Sequence, residues 1–411
     1  MAVTAPETLR ALELEAGAAL EAAGVPGVAF GISQDGARAT GAAGDVVPDQ
    51  LFRVASVTKP FVAALVLTLV LDGLVSLDEP VTRHLPELSL PAGPVTLRQL
   101  LSHQAGLDHE WSTPLADLGE GDDALERLAL GAPVAAPIGP GEWFSYASAG
   151  YYIAAAAAAH AAGTTFEAAM SERVLEPLGL DRTTFEPSEA DRLGRAPGEP
   201  LTYPRARRGG GGLFSCVPDL LVFAEHLLGG PGPLAAESLA EMATPQVEAP
   251  EGWYGFGLGI RDLRGRRILE HGGSVPGWQS LLLLVPEQRF AFVELSNSSR
   301  GRKAIDPLRD LALATACDLA PEEPEDTAVD PARVAAAAGL YRSSIFEVRL
   351  APADGGLGLE LVQEGTQVAA LAAPIGDGAF RVVDGEEEGL LVELLEPGLI
   401  RLGGLVARRS D

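Results

Sequence analysis

From Phe61 to Leu71 the chain is apolar at every position but Thr68, so a helix here has no polar face to turn toward water. A helix greasy on all sides is a buried one, and at 11 residues the run falls well short of the ~20 needed to cross a bilayer. The rest of the chain must therefore supply layers that enclose it. Ser56 opens this helix and Gly73 ends it.

The flanking patterns name those layers. Leu9, Leu12, Ala16, Ala19 and Ala23 recur at helical spacing before Gly24 and Pro26. Short strands at 28–33 and 38–43 flank the hairpin signal Asp35-Gly36. From 77 to about 244 the pattern is mainly helical, with helices expected over 95–102, 122–130, 147–162, 166–176 and 218–228. Strand patterns return at 253–260, 267–271, 279–285 and 289–295, followed by a helix over 304–317.

Strands at both ends of a helical stretch imply an α/β fold in which one antiparallel sheet, flanked by helices, is interrupted by an inserted helical domain. Its sheet segments fall at about 1–76 and 245–318 and its insertion at about 77–244. A linker rich in Pro, Glu and Asp follows at 319–331. Residues 332–411 then alternate with period two and carry enough turns for six to eight strands, hence a small β-barrel or meander. A chain of 411 residues exceeds one hydrophobic core, which agrees with more than one domain.

Composition excludes several functions. With 57 acidic against 30 basic residues, a formal charge of −27 repels phosphate backbones and anionic lipid headgroups, so neither nucleic acid nor a membrane is expected as partner. Cys216 and Cys317 lack CxxC spacing, and no metal or cofactor is expected. Residues 1–17 carry one Arg and three Glu and no apolar core, which points to a cytoplasmic protein. The sequence sets no oligomeric state.

Only two lysines occur against 28 arginines, and Lys59 stands three positions after Ser56. At that spacing both share a helix face, and an amine, unlike a guanidinium, can give up its proton and act as a base. Burial among Phe61, Val62 and Leu65 favours the neutral amine, and the Ser56 amide, at the positive end of a helix, suits an acyl oxyanion. Ser56 is the candidate nucleophile. Tyr146 follows the turn 137–141 at a helix start, where a phenol relays protons. His271-Gly272-Gly273-Ser274 ends a strand; the glycines admit a substrate backbone and the Ser274 amide supplies a second oxyanion donor. Trp143 and Trp278 flank these segments as candidate pocket walls, and His103 is expected as a structural donor.

Taken in order, Ser56-x-x-Lys59, Tyr146-x-Ser148 and His271-Gly272-Gly273 resemble the three motifs of the serine β-lactamase and penicillin-recognising hydrolase superfamily. Leu51-Phe52-Arg53-Val54-Ala55-Ser56, the stretch 97–107, 140–146 and Gly211-Gly212-Leu213-Phe214-Ser215 resemble its class C branch, over roughly residues 10–317.

The resemblance implies a cleft between sheet and helical insertion. In it Ser56 is acylated, Lys59 and Tyr146 share the acid and base work, and His271 lines the third motif. Ser148, Gly272, Gly273 and Trp278 are expected to contact substrate. The family's second motif ends in Asn where Ser148 stands, and the third begins with Lys in β-lactamases where His271 stands.

These departures favour a small-ester esterase, ahead of a D-aminopeptidase, D-amino-acid amidase or DD-peptidase-like enzyme, and well ahead of a β-lactamase. A non-catalytic alternative is a protein that holds a short peptide or acyl ligand in the same cleft. The segment after the linker resembles the lipocalin-like β domain often appended to this family, expected to pack beside the cleft.

Overall fold

The computed structural model describes the chain except residues 1–3, 92, 112–118, 132, 199–202, 322–329, 364–365, 377, 385–387 and 411. Helix α1 (Ala5–Ala23) buries Leu12, Ala16, Leu20 and Ala23 on one stripe and stops at the left-handed Gly24. Strands β1 (Gly27–Gln34) and β2 (Ala37–Gly44) form the expected hairpin.

Six more strands complete the main sheet: β3 (Val247–Ala249), β4 (Gly252–Tyr254), β5 (Gly259–Leu263), β6 (Arg266–Val275), β7 (Trp278–Val285) and β8 (Phe290–Ser296). The order is β2-β1-β8-β7-β6-β5-β4-β3 with antiparallel neighbours throughout. Val28 lies opposite Ser296, so strands from either side of the helical segment pair directly. That segment is therefore an insertion in one sheet.

Period-two alternation gives the sheet two greasy faces. Phe290 and Phe292 of β8 pack with Leu12 of α1 and with Ile305 and Leu308 of helix α5 (Arg302–Cys317). Ala291, Val293 and Leu295 face the insertion, which contributes α2 (Thr58–Leu71), α3 (Ser148–Ala162) and α4 (Val217–Leu227). Every residue of α2 from Thr58 to Leu69 is buried. Phe61 stacks on Phe223 of α4 at 3.7 Å. Each such apolar side chain contributes about 1.5–3 kcal/mol by leaving water, which is how a helix with no polar face is held in place.

Two expectations change. The strand expected over 253–260 is two strands, broken at Gly255–Leu258 because the chain there dips onto the first turn of α2. Gly257, at φ 71, leaves only 2.9 Å between a would-be Cβ and Pro60 Cα. Likewise, His271-Gly272-Gly273-Ser274 does not end its strand, since β6 runs on to Val275 paired with β7. Its pairing with β5 stops at Glu270, so one edge of 271–275 has no β5 partner.

The C-terminal segment forms a closed eight-stranded barrel. Its strands are β9 (Gly339–Arg342), β10 (Phe346–Ala353), β11 (Gly356–Gln363), β12 (Thr366–Gly376), β13 (Ala379–Val382), β14 (Leu391–Glu396), β15 (Leu399–Leu402) and β16 (Leu405–Arg409). Tyr341 of β9 pairs with Arg409 of β16 and closes it. Alternate residues such as Val348, Leu350, Leu359 and Leu361 fill the interior. Most of the expected linker, 322–329, lies outside the described residues.

Candidate active site

Ser56 occupies a single 3₁₀ turn, Ala55–Val57, that leads into α2. Ala55 before it is held at φ 46, a left-handed conformation that costs an L-residue about 1–2 kcal/mol. Gly273 makes room for the bend, and Gly211 lies in van der Waals reach of it. A Cβ on Gly273 would lie 2.3 Å from Val54 O, and one on Gly211 3.5 Å from the Ala55 carbonyl carbon. Strand β6 thus lies directly against the strained residue and aims Ser56.

Lys59, one turn on, is completely buried. Its Nζ lies 3.0 Å from Ser56 Oγ and donates to the Gly210 carbonyl at 2.8 Å. Burial pulls its pKa from 10.5 down to about 7, since the neutral amine loses far less on leaving water. In that form it keeps a lone pair for the Ser56 proton while an N–H holds Gly210.

Tyr146 is hydrogen-bonded to Ser56, and its ring lies 4.9 Å from Lys59 Nζ. Burial raises its pKa well above 10, with Tyr152 adding to the rise and the Ser56 hydrogen bond opposing it. The phenol therefore stays protonated at neutral pH. A protonated phenol is suited to give a proton and the neutral Lys59 amine to take one.

His271 is 7% exposed and lines the cavity. Nδ1 lies 2.7 Å from the Gly272 carbonyl, which sets Nδ1–H as the donor, and Nε2 is buried with no hydrogen-bond partner among the described residues. Burial first, then the Lys59 charge, pushes its pKa down to about 3. The ring is a neutral acceptor throughout the physiological range.

A cavity of about 700 Å³ joins Ser56, Tyr146, Ser148, His271, Gly272, Gly273 and Ser274. Ser274 is exposed, and its hydroxyl accepts from Gln279 Nε2 at 2.7 Å. Trp278 is not among the lining residues. It is 1% exposed and packs edge-on against Phe52 at 6.0 Å, so the substrate contact expected of it is replaced by a core role. Alternation on β7 sets this, because Trp278 shares the inward face of Ser280 and Leu282. Trp143 likewise packs with Ala136, Ile138, Leu399 and Val406, away from the cavity.

Several participants have no sequence signal of their own. His103 acts as an acceptor rather than the expected donor: Ala147 N–H donates to its Nδ1 at 3.0 Å, and its ring lies 4.3 Å from that of Tyr146. Its carbonyl takes the Ser145 N–H at 2.9 Å, so one residue fixes the backbone on both sides of Tyr146. The barrel also reaches in. Tyr146 N–H donates to Gly404 O at 2.9 Å, and Val406 N–H to Ser145 Oγ at 3.3 Å. Arg381 of the barrel also pairs at 2.8 Å with Glu251, which lines the cavity. Leu390, Leu391, Gly403 and Gly404 of the barrel complete the cavity lining.

A serine, a neutral buried amine and a phenol converge in a cleft between a sheet and a helical insertion, the arrangement of a serine hydrolase. The sequence profile of the Beta-lactamase family matches residues 13–316, and the chain belongs to that family. It is 31% identical over 314 residues to penicillin-binding protein 4 of Amycolatopsis lactamdurans, covering 66% of this chain and 81% of that protein. It is 25% identical to the D-aminopeptidase of Gluconobacter oxydans (strain 621H), covering 85% and 68%. With the esterase EstB of Burkholderia gladioli it shares 32% over 47% of this chain and 61% of the esterase. The crystal structure of SurE with D-Leu superposes over 98% of this chain and 99% of that one, with TM-score 0.79 and 23% identity, and so shares the fold including the barrel. Among the described residues no helix is long and apolar enough to cross a membrane.

Proposed function

We propose that the protein hydrolyses small esters through an acyl-enzyme on Ser56. The observation that carries this is the 3.0 Å contact between Ser56 Oγ and the fully buried Lys59 amine. Lys59 takes the hydroxyl proton as Ser56 Oγ bonds to the carbonyl carbon, and the oxyanion forms against the Ser56 and Ser274 amides. On collapse the bond to the leaving alcohol breaks, and Tyr146 passes that alcohol a proton drawn from Lys59. Water then repeats the sequence on the acyl-enzyme and releases the acid. Neutral His271, with Gly272 and Gly273, lines the acyl side. Ser148 stands where the family's motif has an amide, which favours esters, whose leaving groups need less help than amines.

A second reading, hydrolysis of D-amino-acid amides or short peptides, is favoured by the edge of 271–275 that β5 leaves open. An extended substrate backbone can add there as a strand. The similarity to a D-aminopeptidase across 85% of the chain supports it.

A fluorophosphonate followed by intact-mass measurement tests acylation, alongside p-nitrophenyl ester turnover. A single adduct is expected on the parent protein and none on Ser56→Ala. An adduct that survives the substitution ends the assignment, and absence of both labelling and turnover in the parent favours a ligand-binding protein.

A further inference from the structure

Arg205, Arg207 and Arg208 lie on the short helical turn that runs into the glycines at 209–212. The outer two are neutralised: Arg205 by Asp122 and Glu167, Arg208 by Glu167 and Glu186. Arg207 lines the cavity and pairs with no carboxylate among the described residues, and its Nε is buried with no hydrogen-bond partner among them. The other cavity guanidiniums are matched, Arg261 by Glu270 and Arg302 by Asp306.

This imbalance matters in a chain with 57 acidic residues, where a neighbouring carboxylate is the common circumstance. A buried guanidinium N–H without an acceptor carries a desolvation cost that a ligand oxygen relieves. A carboxylate presents two oxygens at the spacing of the guanidinium fork.

The place is right for substrate. Arg207 and Tyr203 line the same cavity as Ser56, and Tyr203 OH lies 2.7 Å from where a Cβ on Gly211 would sit. Gly211 in turn abuts Ala55, the residue before Ser56. The net charge of −27 repels anions at long range, so a local cation is what lets one enter and stay.

We infer that Arg207 anchors a carboxylate carried by the substrate, on the wall formed by Tyr203 and Gly210–Gly211. The inference rests on the acyl-enzyme reading and narrows its substrates to carboxylate-bearing esters or amides. Arg207 itself takes no part in bond cleavage.

Two matched ester pairs test it. In p-nitrophenyl hydrogen glutarate against p-nitrophenyl butyrate the carboxylate is in the acyl half, and in 3-carboxyphenyl butyrate against phenyl butyrate it is in the leaving half. The parent enzyme is expected to prefer the anion by kcat/KM in one pair. Arg207→Met lowers that anionic-to-neutral ratio by on the order of 10- to 100-fold, and Arg207→Lys recovers part of it. No preference in either pair, or one that survives Arg207→Met, overturns the inference.

Should no ester be turned over, the acyl-enzyme reading fails, and calorimetry on Ser56→Ala decides the anion site separately. N-acetyl-D-phenylalanine is then expected to bind more tightly than its neutral amide, with the difference lost on adding Arg207→Met. Equal affinities overturn the inference.

Discussion

Lys59→Met is expected to lower kcat/KM by about 10²–10⁴-fold, the usual worth of a positioned general base, while making the protein more stable. The two effects share one cause. Complete burial moves the Lys59 pKa from 10.5 to about 7, a shift equivalent to about 4–5 kcal/mol of folding free energy when the amine is protonated. Methionine fills similar volume without that penalty. It leaves the Gly210 carbonyl without the hydrogen bond it now receives, which costs about 1–3 kcal/mol. Relief of the buried charge outweighs the lost hydrogen bond, so unfolding in urea at pH 7 should show a gain of about 1–3 kcal/mol.

The sign follows from proton counts. Between about pH 7 and 10.5 the unfolded chain holds a proton on Lys59 that the folded chain does not, so the parent gains stability as pH rises through this window. The advantage of Lys59→Met is therefore largest below pH 7 and fades toward 10.5. An inactive variant no more stable than the parent at pH 7 would mean that the amine is not penalised by its surroundings.

Gly273→Ala is expected to cost at least 10²-fold in kcat/KM together with several kcal/mol of stability. The added Cβ would stand 2.2 Å from Ser280 Oγ and 2.3 Å from Val54 O. Ser280 Oγ has no easy escape, since it already donates to Val54 O at 2.7 Å. Strand β6 must therefore move off the 54–55 segment, and a shift near 1 Å at a nucleophile is worth about 10²-fold. Gly265→Ala is the comparison, because a Cβ there meets nothing within 4 Å and only its φ of 76 opposes the change. Full activity in Gly273→Ala would show that β6 does not set the position of Ser56.

What the sequence disclosed was what periodicity and local spacing encode. The buried α2 follows from its lack of a polar face, and the Ser56–Lys59 contact follows from i to i+3 geometry. One sheet shared by both ends of the domain was legible because strand patterns at 28–43 and again beyond 253 flank a helical stretch. Long-range apposition was not legible. Nothing in the pattern at 253–260 shows that the chain must bend over Pro60, and Gly257 carries that information only once the two segments are seen together. Trp278 beside the third motif looked like a cavity wall, and one residue of strand register turned it into the core. The backbone around Tyr146 is held by the His103 ring and carbonyl, 44 and 42 positions from the amides they accept, and by the Gly404 carbonyl, 258 positions away, and no local spacing in the sequence encodes such contacts. Arg207 is one arginine among 28 until its neighbours' partners are known.

The proposed acylation depends on an uncharged amine at Lys59, and the scarcity of lysine makes that directly measurable. Lys59 and Lys303 are the only two lysines, so protein grown with [¹³Cε]lysine gives two signals, assigned by the loss of one in Lys59→Met. The Lys59 signal should titrate with a midpoint near 7, matching the acid limb of kcat/KM for a neutral ester. A Lys59 signal that remains that of a protonated amine up to pH 9, in an active enzyme, would contradict its role as the base.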